Sequence, residues 1–158
     1  MILGIDPGLS GALACMGGPV GSALTVFDMP THELTSNGKK RRVIDLAQLA
    51  KWFDINASAI RLAVVEDVHA MPAQGVTSSF KFGRCFGVVE AMVAAHFIPV
   101  HYVTPQKWKG AFGLTADKDA ARAAASKLMP RHAHLWPNKG HDGRAEAALL
   151  ALYGSKLS

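Results

Sequence analysis

Short apolar runs broken by Gly and Pro dominate the start of the chain, and longer stretches of helical period follow. Residues 2–6 form an apolar run stopped by Pro7-Gly8. Residues 11–16 form a second, closed by Gly17-Gly18-Pro19, and residues 23–29 a third, closed by Pro30. Runs of this length between turn formers read as strands. Three in close succession predict an antiparallel meander. The polar stretch 31–42 ends in Lys39-Lys40-Arg41-Arg42 and reads as a surface loop. From 43 to 53, Val43, Leu46, Ala47, Leu49, Ala50 and Phe53 recur with helical period. Residues 62–65 predict a strand running into Glu66-Asp67, and residues 69–79 a loop. Residues 78–97 predict a long helix, apolar on more than one face. Residues 100–103 predict a strand stopped by Thr104-Pro105, and 117–128 and 142–153 are Ala-rich helices. The order predicts an α/β fold with a mixed five-stranded sheet flanked by helices.

Length changes the picture little: 158 residues suit one domain spanning 1–158. With 49% apolar residues the chain can bury a core, which excludes intrinsic disorder. Charge says more. Seventeen Lys and Arg face twelve Asp and Glu, a formal +5, which points to an anionic partner without choosing among nucleic acid, phosphates and a membrane surface. Cys15 and Cys85 stand alone, so neither a zinc ribbon nor a disulfide framework is expected. The first residues carry no basic segment, and their apolar run is too short for a signal peptide or a membrane span. A reducing, cytoplasmic location and no membrane partner are the expectation.

With only twelve acids, those at element ends need a reason. Asp6 ends the first strand and Glu66 the fourth. Asp142 and Glu146 are four residues apart and share a helix face. Each has an ordinary explanation: Asp6 as a turn former before Pro-Gly, Glu66 as a solvated strand end, Asp142 as a helix cap, Glu146 as a partner of Arg144 or of the helix dipole. Together they suggest a carboxylate cluster. Like charges held close need a cation between them, and oxygen ligands select Mg²⁺ or Mn²⁺ over Zn²⁺. Two such ions about 3.5–4 Å apart can hydrolyse a phosphodiester.

The chain resembles the RuvC-type Holliday junction resolvases in their phage-like form. The residues that carry the resemblance are Gly4-Ile5-Asp6-Pro7-Gly8-Leu9-Ser10-Gly11 and Val65-Glu66-Asp67-Val68-His69. Phe80-Lys81-Phe82-Gly83-Arg84 with Gly87 follows, then Thr104-Pro105-Gln106-Lys107-Trp108-Lys109. His141-Asp142-Gly143-Arg144-Ala145-Glu146-Ala147 comes last. The set spans nearly the whole chain in the family's order. The resemblance implies an RNase H-like fold and a homodimer that resolves four-way DNA junctions by paired, Mg²⁺-dependent nicks, with Mn²⁺ as a substitute. It implies Asp6, Glu66 and Asp142 as metal-binding carboxylates and Glu146 in the place of the family's final acid, usually Asp. His141 and Asp142 are adjacent, and either or both can face the metal. Asp142 is favoured because it shares a face with Glu146.

Lys118 resembles the family's lysine near the scissile phosphate, where it can stabilise developing charge; an ordinary helix lysine is the alternative. Lys39, Lys40, Arg41, Arg42, Lys81, Arg84, Lys107 and Lys109 are candidate phosphate contacts. Trp108 is either a base-stacking residue or a core anchor. By the resemblance, the loop over 69–77 reaches the junction centre, with Met71 as a candidate wedge, or else a cover for its own core or part of the dimer interface, and Gln74 as a candidate base contact. The helix over 78–97 is either a buried central helix or, as the resemblance favours, the dimer interface. Two other readings stand beside the resolvase: a nuclease of broad branched-DNA specificity, acting on flaps and forks, and a non-catalytic junction-binding protein.

Overall fold

The computed structural model describes residues 1–19, 22–67, 75–114 and 118–157. Strands β1 (Ile2–Asp6), β2 (Ala12–Gly17) and β3 (Ala23–Asp28) form the expected antiparallel meander. Strands β6 (Leu62–Glu66) and β7 (Val100–Val103) then join in parallel, giving the sheet order β3-β2-β1-β6-β7. The central strand β1 is therefore antiparallel to one neighbour and parallel to the other, and the mixed five-stranded sheet expected from the sequence is present.

The stretch read as a loop is instead a hairpin, β4 (Thr31–Ser36) paired with β5 (Lys39–Ile44). Asn37 and Gly38 make its turn, both with positive φ, 51° and 71°. Asn-Gly is the dipeptide that a tight hairpin turn favours. Its signal was obscured by the polar composition of the flanking strands, which are mostly exposed. The four cations thus sit on a strand, and the following helix, α1 (Leu46–Asn56), begins three residues later than the periodicity suggested. Asp45 caps it, accepting from the Gln48 N–H at 3.0 Å.

Helix α2 (Val76–Ala95) corresponds to the long helix, and α4 (Lys118–Leu128) and α5 (Asp142–Ser155) to the Ala-rich ones. A further helix, α3 (Pro105–Ala111), follows β7. Thr104 is its cap, accepting from the Lys107 N–H, and Pro105 stands at its first turn.

Strand alternation divides the core in two. Leu3, Ile5, Ala63 and Val65 face one side with Leu49 and Phe53 of α1 and Val89 and Val93 of α2. Ile2 and Val64 face the other, with Trp108 and the buried stripe of α5. Alanine and glycine let α5 lie close to the sheet. A Cβ at Gly4 would strike the backbone of Ala147 and Ala151. No helix among the described residues is long and apolar enough to cross a membrane.

Candidate metal centre and nucleic-acid interface

Strand register sets the first two carboxylates side by side. Ile5 lies opposite Val65 in the parallel pair, so one residue further on Asp6 and Glu66 end adjacent strands. Their positions are two residues beyond Gly4 and Val64, which puts both on the α5 side of the sheet. Ligand sites in open α/β sheets form at the carboxyl ends of parallel strands, where the topology reverses, and this is such a place.

Helix α5 supplies the other two. Asp142 and Glu146 lie one turn apart at its start. Asp6, Asp142 and Glu146 line one cavity of about 310 Å³, whose walls include Gly8, Ser10, Gly11, Gly140 and Gly143. The glycines let the wall close in: a Cβ at Gly143 would meet the Ser10 carbonyl and come within 3.0 Å of Asp6 Oδ2. Arg144 holds α5 against β3 by donating from Nε and Nη2 to both Asp28 oxygens at 2.6 Å, and from Nη1 to the Leu135 carbonyl at 3.1 Å. The guanidinium keeps the Asp28 carboxyl below its usual range.

The electrostatics are those of crowded acids. Loss of solvation, then the charges of Glu146 and Glu66, push Asp6 up from 3.8 to about 7, against the opposing Gly8 N–H and Lys109. Burial also raises Glu66, which is 8% exposed, while a hydrogen bond from Trp108 opposes the rise. Lys109 answers part of this negative charge: its Nζ lies 3.1 Å from Glu146 Oε1 and 5.1 Å from the centre of the Trp108 ring.

Asp142 Oδ1 is buried and finds no hydrogen-bond partner among the described residues. An unmet carboxylate oxygen in an oxygen-lined cavity fits a hard divalent cation. Among the described residues, no group of three or more His, Cys, Asp or Glu side chains converges on a single ion position, and Glu146 is engaged by Lys109.

The other sequence candidates fall in different places. His141 is not on the cavity wall; its Nδ1 accepts from the Asn138 N–H at 3.4 Å, capping the turn before α5. Trp108 is fully buried and donates to Glu66 at 2.9 Å. This corrects the stacking assignment, because neither ring face is open to a base. Lys109 belongs to the carboxylate cluster rather than to an outer surface. Arg42 is occupied, donating to Thr31 Oγ1 at 2.8 Å and the Leu9 carbonyl at 2.6 Å. Lys40 pairs with Glu33 at 3.1 Å across the hairpin. Lys39, Arg41, Lys81, Arg84 and Lys107 are exposed. Lys118 opens α4; its side chain, like Met71 and Gln74, lies outside the described residues.

The roles of Trp108 and Lys109 were not read from the sequence. The Thr-Pro cap signal of α3 was the available clue, because a helix there puts both residues on the turn that follows β7.

No protein-family model matches the chain, and no curated protein does. Solved structures do. The Thermus thermophilus RuvC structure aligns with a TM-score of 0.57 at 16% identity, covering 98% of this chain and 95% of that one. T. thermophilus RuvC in complex with a Holliday junction substrate aligns with a TM-score of 0.58, also at 16% identity, covering 98% and 94%. The chain therefore has the RNase H-like fold of the RuvC structures, over almost its whole length.

Proposed function

We propose that this protein is a structure-selective endonuclease that resolves four-way DNA junctions by paired nicks, working as a homodimer inside the cell with Mg²⁺ or Mn²⁺. The observation that carries the reading is the meeting of Asp6, Asp142 and Glu146 around one cavity, with Glu66 on the adjoining strand end. The fold likeness to a RuvC bound to a Holliday junction supports it, as does the net charge of +5.

Asp6, Glu66, Asp142 and Glu146 would hold the metal. When bound, it supplies Lewis-acid polarisation of the phosphate and a more acidic attacking water. The protein's own groups do the positioning. Trp108 fixes one Glu66 oxygen and leaves the other for the centre. Lys109, paired with Glu146 at 3.1 Å, brings a cation to the edge of the cavity, where it would meet the scissile phosphate. Lys118, by its resemblance to the family's lysine, would stabilise the charge that develops near the scissile phosphate. One cavity makes one cut, so two symmetric cuts need a second copy.

The decisive test is a mobile four-way junction incubated with Mg²⁺, with cuts mapped on all strands. Paired symmetric nicks are expected. Asp6→Asn and Glu66→Gln should abolish them while junction binding in Ca²⁺ persists. Normal cutting by either variant sinks the assignment of the carboxylates. Equal cutting of flaps, forks and junctions points to a broad branched-DNA nuclease instead.

A further inference from the structure

A second cavity lies on the other side of the loop that shapes the carboxylate centre. Gly8 and Ser10 line the acidic cavity, and Leu9 between them lines this one. Its volume is about 130 Å³, close to the roughly 150 Å³ that admits one benzene-sized ring. The apolar floor is Leu9, Ile44, Leu46 and Val88. The charged wall is Arg41 and Arg42 of the hairpin and Lys81 and Arg84 of α2. No acid lines it. Phe80, 72% exposed, stands in its wall.

From this geometry we propose that the cavity receives one unstacked nucleotide of the bound strand, next to the nucleotide being cut. The base enters the apolar floor, and the flanking phosphates lie on the cations. Phe80 supplies a stacking face, which works for any base. Thr77, on the same wall, can hydrogen-bond a base edge. Arg42 braces the site rather than gripping DNA, because its guanidinium is committed to Leu9 and Thr31. The same bond ties the hairpin to the carboxylate loop, so the two cavities are mechanically linked. A second copy of the chain is a poorer occupant. A two-fold contact sets a patch against itself, and here it would bring an all-cationic wall against its own equivalent.

The proposal rests on the DNA-cleaving reading, and its test separates the two. Junctions with a single abasic nucleotide, moved step by step around the exchange point, are bound in Ca²⁺ by the full chain. One position beside the mapped cut should weaken binding by about tenfold. Thr77→Trp, which fills an exposed mouth, should give the intact junction that same loss and show no further loss on the abasic one. Arg84→Glu should weaken both junctions. In ultraviolet cross-linking, 5-iododeoxyuridine at the sensitive position should attach within residues 41–46 or 77–88. Uniform abasic effects, cross-links elsewhere only, or conversion of Thr77→Trp to a monomer overturn the cavity assignment, even where junction cutting is intact. Absence of junction binding and cutting by the wild type overturns both readings.

Discussion

The indole N–H of Trp108 donates to Glu66 Oε1 across 2.9 Å of buried space. One residue is fully buried and the other 8% exposed. An isolated buried carboxylate is costly; this bond offsets part of that cost and fixes the side chain at the rim of the centre. Trp108→Phe retains most of the ring and removes the donor. It should destabilise the protein by about 1–3 kcal/mol, read from urea denaturation, and reduce Mg²⁺ affinity. Trp108→Ala should cost more, about 3–5 kcal/mol. Wild-type stability in Trp108→Phe would show the bond to be dispensable.

The Lys109–Glu146 pair should behave as a placeholder for metal. Both side chains are less than one-fifth exposed, so the pair is screened little. Lys109→Gln should lower metal-free stability by about 1–3 kcal/mol, because it leaves an acid uncompensated. The same change removes a competing cation. The rise in Tm on adding Mg²⁺, measured by thermal melts, should therefore be larger in Lys109→Gln than in wild type, while cleavage slows. An equal or smaller rise contradicts the placeholder role.

Metal-free stability should fall as pH rises through the interval between the ordinary and the raised Asp6 value. Asp6 moves from 3.8 to about 7 on folding, so between roughly pH 4 and pH 7 the folded chain holds a proton that the unfolded chain has lost. Stability then decreases with pH. Glu66, also raised, acts in the same direction. Denaturation in chelator at pH 5, 6, 7 and 8 should show this slope, and Asp6→Asn should flatten it. A slope of the opposite sign in wild type would contradict the raised value.

The bidentate Arg144–Asp28 contact joins the ends of two elements 116 residues apart. Asp28 is largely exposed, so Arg144→Met should cost only about 1 kcal/mol of stability. Its larger effect should be on cleavage, through a loosened first turn of α5. The exchange Asp28→Arg with Arg144→Asp should recover part of both losses in a double-mutant cycle. Full additivity of the single changes would exclude a specific clamp.

Gly4→Ala is a sharp test of the sheet–helix packing. The new methyl would meet the α5 backbone at Ala147 and Ala151, which no side-chain rotation can relieve. A loss of about 3 kcal/mol or more, or failure to fold, is expected.

How much of this was legible in the sequence depends on the range of the interaction concerned. The three N-terminal strands, β6, β7 and the long helices were readable because hydrophobic period and Gly-Pro punctuation are local. The α/β class follows from their order. The hairpin over 31–44 was missed because its strands are polar and mostly exposed, leaving Asn37-Gly38 as the only strong local sign. Helix α3 was missed because it has only seven residues, too few to display a period. The four acids could be singled out by position at element ends. What only the tertiary structure decided is their company. It brought Asp142 rather than His141 to the cavity, buried Trp108 against Glu66, placed Lys109 on Glu146, and gathered cations from β5 and α2 around a second cavity. Local composition fixes which residues can lie on a strand or a helix. Which distant side chains then share a solvent-poor space is set by register and packing, and it is that shared space that makes their charges act on one another.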